Sequence, residues 1–180
     1  MGSKNGSFVL MEMIVQIRRI RADEWRRLRT FRLWALAEAP TAFGSTLVAE
    51  QAYADDVWQE RALGASGGRD RATFIAELGG VWIGAATGLA NQFVGVNGIP
   101  LLVAMFVAAS ERRQGVGLKL VNAVIPWARD CGAHHLALWV ASNNLAAAAL
   151  YEQCGFRFTG NTKPHPHAPE LVEKEMLRQL

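Results

Sequence analysis

A chain of 180 residues with 51% hydrophobic and 19% charged side chains suits one globular domain whose core is large enough to fold unaided. No apolar run nears the roughly 20 residues a membrane helix needs, and a scattered formal charge of +3 is too mild for a nucleic-acid footprint. Cys131 and Cys154 each precede a glycine and offer neither ligand spacing nor a disulfide framework, which points to a reducing, cytoplasmic setting.

Residues 1–12 read as a frayed or added leader, because no long apolar signal core follows the small polar start. The domain then occupies 13–180. Residues 13–21 are rich in β-branched side chains and predict a first strand. Asp23 opens a helix over 22–39 that carries Trp25, Leu28, Phe31, Leu33, Trp34 and Leu36 and stops at Pro40. Residues 40–46 form a loop too apolar to be idle. A second helix over 55–63, capped by Asp55 or Asp56, leads to a Gly/Ser-rich connector at 64–71. Strands over 72–78 and 81–90 meet at Gly79-Gly80, which supplies the positive φ angles of a tight antiparallel hairpin. A mobile loop at 91–98 follows.

Residues 99–109 are almost continuously apolar, as in a strand buried on both faces. The helix after them shows apolar residues at i, i+3, i+4 spacing, namely Gly117, Leu120, Val121, Val124, Ile125 and Ala128, with Pro126 expected to kink it. Further strands are expected over 134–140, 156–159 and 170–179, and an alanine-rich helix over 144–154. Pro164, Pro166 and Pro169 should keep the segment between the last two strands out of any sheet.

The junction at 112–117 combines free N–H groups at a helix start, two glycines and two arginines, the outline of a phosphate site. Gly115-Val-Gly117 lacks the third glycine of a dinucleotide fold, and no Gly-Lys-Ser/Thr follows as in a P-loop. What remains is Arg112-x-x-Gly115-x-Gly117, followed by Asn144-x-x-Ala147-x-x-Leu150-Tyr151-x-x-x-Gly155-Phe156. In that order and separation the chain resembles the GNAT superfamily of acyl-CoA-dependent N-acyltransferases, from residue 14 to the C-terminus and most specifically over 103–158.

The resemblance implies an α/β (α+β) fold, with a mixed, mostly antiparallel central sheet of six to seven strands, helices on both faces and splayed central strands. It implies N-acetyl transfer from acetyl-CoA to a primary amine of a small molecule or peptide in a ternary complex. It also places the cofactor on Met105, Val107, Arg112, Arg113, Gln114, Gly115, Val116, Gly117, Lys119, Asn144 and Ala147. Tyr151 would protonate the departing thiolate, and Asn144 would bond the pantetheine. The plainer readings are a core aromatic and a helix cap. Glu77, on a strand beside the centre, is the leading candidate for a general base. Phe43 and Ser142 are candidate substrate contacts or, equally, core packing and a plain loop serine, with the loop at 161–170 as the facing wall. His165 and His167 read as loop histidines, since no partner set for a metal accompanies them. No metal, nucleic acid or membrane partner is expected. A homodimer is left open, and an acyl-CoA-binding sensor without turnover is the rival function.

Overall fold

The computed structural model describes residues 14–90 and 98–180; the expected leader and all but the end of the loop at 91–98 lie outside them. Among the described residues, seven strands form one sheet: β1 (Gln16–Arg19), β2 (Arg71–Leu78), β3 (Val81–Leu89), β4 (Leu101–Val107), β5 (His135–Ala141), β6 (Arg157–His165) and β7 (Ala168–Gln179). The helices are α1 (Trp25–Glu38), α2 (Leu47–Gln51), α3 (Asp55–Gly67), α4 (Val116–Asp130) and α5 (Leu145–Gln153). The sheet runs β1-β2-β3-β4-β5-β7-β6, antiparallel throughout except where β4 meets β5.

Alternation of side chains along the strands divides the core in two. Ala76, Ala86, Leu138, Val140 and Met176 face α4, whose Leu120, Val121, Val124 and Ala128 are buried against them. Ile75, Ala85 and Phe106 point the other way, into a cluster with Phe31 and Leu36 of α1 and Trp58 and Ala62 of α3. Helices thus cover both faces. The approach of α4 depends on a missing side chain in β3, because a Cβ on Gly88 would lie 2.2 Å from the Trp127 ring. At the β2–β3 turn, Gly79 and Gly80 have φ of 56° and 81°, the geometry a two-residue hairpin demands.

Several expectations change. The first strand is shorter, and α2 falls where no helix was expected, its N-cap Thr46 accepting from the Ala49 N–H. α3 continues through Gly64 to Gly67. Its N-cap is Ala54, because Asp55 and Asp56 fall inside the first turn, where carboxylates favour the helix dipole instead. α4 remains one helix through Pro126. The prolines do not keep their segment out of the sheet: β6 and β7 form a long hairpin in which Pro164 pairs with Val172 and Pro169 lies near the start of β7. β6 is the outermost strand, and there a residue without an N–H costs no ladder bond.

Candidate functional site

The sheet opens at its middle. β4 and β5 share a single bridge, Leu101 with Ala137, reinforced by the Ala137 N–H donating to the Pro100 carbonyl at 2.9 Å. Beyond it the strands part. Two residues of β4, Ala104 and Met105, face the one residue Ala86 of β3 between the Thr87–Val103 and Ala85–Phe106 pairs, and Ala104 takes up the irregularity at a φ of 51°. Such a bulge bends its strand. Met105, Phe106 and Val107 on one side and Trp139, Val140 and Ala141 on the other then line a cavity of about 630 Å³, a size in the range of ligand sites.

The phosphate-like turn closes one end of this cavity. After a 3-10 turn at Ala109–Glu111, Arg113 and Gly115 adopt left-handed φ values of 64° and 79°, which swing the chain into α4. Among the described residues no side chain caps α4, so its first N–H groups remain available to an anion. Of the two arginines, Arg112 is already engaged: its guanidinium donates to the Val107 carbonyl at 2.9 Å and to Glu38 at 2.7 Å. That ties the turn to the end of α1. The next helix, α5, supplies the opposite wall, with Asn144, Ala147, Leu150 and Tyr151. Gly117 lets α4 and α5 come together, since a Cβ there would lie 2.8 Å from the Leu150 side chain.

The description "Acetyltransferase (GNAT) family" belongs to a family model that matches residues 20–156, most of the chain. This chain belongs to the GNAT family. Human N-acetyltransferase 8 is 40% identical over 58 residues, which is 32% of this chain and 26% of that protein. The Bacillus subtilis uncharacterized N-acetyltransferase YobR is 34% identical over 71 residues, 39% of this chain and 28% of that protein, so the match spans under a third of either relative. Among solved structures, a GNAT acetyltransferase of Streptococcus pneumoniae has the same fold, with a TM-score of 0.77 at 22% identity over 93% of this chain and 99% of that one. YncA of Salmonella typhimurium, solved with its cofactor acetyl-CoA, gives 0.70 at 22% identity over 93% and 94%.

In this GNAT domain, eight of the eleven residues expected around the cofactor line the cavity: Met105, Val107, Arg112, Arg113, Gly115, Gly117, Asn144 and Ala147. Gln114 of the turn and Val116 and Lys119 of the first turns of α4 lie outside the lining. Gln114 donates to the Ser110 carbonyl, and Val116 is buried in the core. Asn144 caps α5, its Oδ1 accepting from the Ala147 N–H at 3.2 Å, so the cap and a cavity position coincide in one side chain. Tyr151 lines the cavity and packs edge-on to Phe156. Burial pushes its phenol pKa upward, keeping it protonated around neutral pH.

Three expectations go elsewhere. Glu77 is not among the lining residues. Its carboxylate accepts from Arg18 at 2.8 Å and Arg27 at 3.3 Å, and although burial opposes ionisation, these guanidiniums hold its pKa below the ordinary carboxylate value. Two permanently charged guanidiniums, together with a position outside the cavity, make it a poor proton acceptor for a bound amine. Phe43 is buried beneath the Arg32 guanidinium and beside Phe106, while its neighbours Thr41 and Ala42 face the cavity. Ser142 borders a separate, smaller recess of about 230 Å³ with Leu145 and Phe158. The expected facing wall is the β6–β7 hairpin tip, and it does reach the 40–46 segment, where His167 Nε2 lies 3.1 Å from the Gly44 carbonyl. His165 is buried rather than a loop histidine.

One lining carboxylate escaped the sequence reading. Glu173 of β7 pairs with Ala141 across the sheet and is largely buried against the cavity. Nothing in the alternating run Leu171, Glu173, Glu175, Leu177 marks it out. Only the register between strands distant in sequence does.

Proposed function

We propose that the protein transfers an acetyl group from acetyl-CoA to a primary amine by direct attack in a ternary complex. The observation that carries this is the cleft between β4 and β5, bounded at one end by an uncapped helix N-terminus and lined on its α5 side by the Tyr151 side chain. The residues present fit the cofactor. Free N–H groups of the α4 turn suit the pyrophosphate, and the backbone of 105–107, unpaired toward β5, suits an extended arm carrying amides. Acetyl is taken as the acyl group because the family is one of acetyltransferases and the similar YncA chain binds acetyl-CoA.

When bound, the cofactor supplies an activated thioester carbonyl. This chain's residues would hold it, exclude water with the apolar walls of Met105, Phe106 and Leu150, and deliver a proton from the Tyr151 hydroxyl toward the leaving sulfur. The test is release of free thiol from acetyl-CoA in the presence of small amines, polyamines, amino acids, aminoglycosides and peptide N-termini. Turnover with at least one is expected. Thermal stabilisation by CoA with no thiol release across the panel would point instead to a binding protein.

A further inference from the structure

The cavity has two faces with different chemistry. Val140 points toward α4 and α5, in the cluster that holds Tyr151, and Ala141, the next residue of β5, points to the other face. Glu173, directly opposite Ala141 on β7, shares that second face and lines the same cavity. The surroundings on this side are Ala39, Thr41 and Ala42, just after α1, with Phe106 and Trp139. Glu173 is therefore the one carboxylate among the lining residues, on a wall that is apolar and aromatic apart from Thr41 and lies across the cleft from the tyrosine.

The protein itself shows what this carboxylate binds. The Lys163 ammonium, on the neighbouring strand β6, lies 3.3 Å from Glu173 Oε2 and 4.2 Å from the centre of the Trp139 ring. That is a primary ammonium held by a carboxylate and an aromatic face.

We propose that Glu173 anchors the acceptor as an ammonium and then acts as the general base, and that the acceptor is a primary amine with an apolar body and no carboxylate beside the nitrogen. This rests on the transfer reaction proposed above. Glu173 takes one proton from the ammonium, and the freed nitrogen lone pair forms the C–N bond as the C–S bond breaks. Tyr151 gives its proton to the sulfur, and a second nitrogen proton restores the phenol through water. The products are the amide, the free thiol and one proton that leaves Glu173 for solvent. An acceptor carrying its own carboxylate would bring like charge against Glu173.

Phenethylamine and O-benzylhydroxylamine test this, being nearly equal in shape, the first an ammonium at pH 7 and the second already neutral. In Glu173→Gln, kcat/KM for phenethylamine should fall about 10²-fold, while that for O-benzylhydroxylamine changes little. CoA should still raise the melting temperature of the variant. Lys163→Met, which removes the ion-pair partner and keeps the carboxylate, should retain the wild-type ratio between the two acceptors. Equal losses for both acceptors in Glu173→Gln, or the same altered ratio in Lys163→Met, would overturn the base assignment. Faster wild-type turnover of phenylalanine than of phenethylamine would overturn the acceptor assignment. Absence of thiol release with every amine would instead sink the transfer reaction itself.

Discussion

Gly115 and Gly117 stand two residues apart in the same motif, yet their substitution by alanine should fail in different ways. At Gly115 a Cβ meets nothing within 4 Å, so the cost comes from holding φ at 79°, about 1–2 kcal/mol for a residue with a side chain. For a chain of this size that lowers the melting temperature by roughly 2–8 °C. At Gly117 the backbone is helical and the cost is steric: a Cβ would lie 2.8 Å from Leu150 Cδ2 and 3.3 Å from Met105 Cε. Both are tips of flexible side chains and can yield, and the smaller unfolded-state entropy of alanine returns about 0.4–1 kcal/mol. Gly117→Ala should therefore melt close to the wild type. Leu150 and Met105 can yield only within the cavity they line, so CoA binding should weaken by roughly tenfold, removing about 1.4 kcal/mol of ligand stabilisation. Thermal melts of both variants with and without CoA measure the two effects separately. A Gly117→Ala protein that melts below Gly115→Ala while keeping its full CoA shift would refute this reasoning.

Tyr151→Phe should lower kcat about 10²-fold with the CoA-induced melting shift retained; unchanged kcat would remove the hydroxyl from proton delivery. The Glu24 carboxyl is opposed by burial, but hydrogen bonds from Arg18 and the Arg21 backbone bring its pKa from an ordinary 4.5 down to about 2. A depressed folded value stabilises fully above about pH 4.5 and is lost as pH falls toward 2, a gap worth about 3 kcal/mol. Urea melts of Glu24→Gln should show that deficit at pH 7 and a flatter acid profile, and a parallel profile would show that another group governs acid unfolding. Gly88→Val should cost about 1–3 kcal/mol or more, because the Trp127 ring 2.2 Å from the new Cβ is itself buried; an unchanged urea midpoint would contradict that contact.

The parts legible from the sequence are those whose physics is local. The Gly115 turn needs a positive φ, the α4 face repeats every three or four residues, and Asn144 begins a run of alanines, so each announces itself within a dozen residues. Glu77 was misread because what disarms it, Arg18 of β1 and Arg27 of α1, arrives from fifty residues or more away. Glu173 was missed for the same reason in reverse, because its access to the cavity depends on the pairing of β7 with β5. Pro164 misled because its cost depends on whether a strand is central or outermost, and sheet order is a property of the whole fold. Phe43 and Thr41 show the limit within one loop: composition marks the segment as purposeful but cannot say which side chain turns inward.

The single bridge between Leu101 and Ala137 also has a mechanical meaning. It divides the sheet into two panels, β1 to β4 and β5 to β7, joined like a hinge at one end and otherwise kept in register by the side chains packed under α4. An extended ligand laid in that seam would act as a missing strand, fastening one panel to the other. On the proposed function, the least-bonded seam of the sheet is therefore the same feature that would hold the acyl-CoA, and stiffness would rise with occupancy.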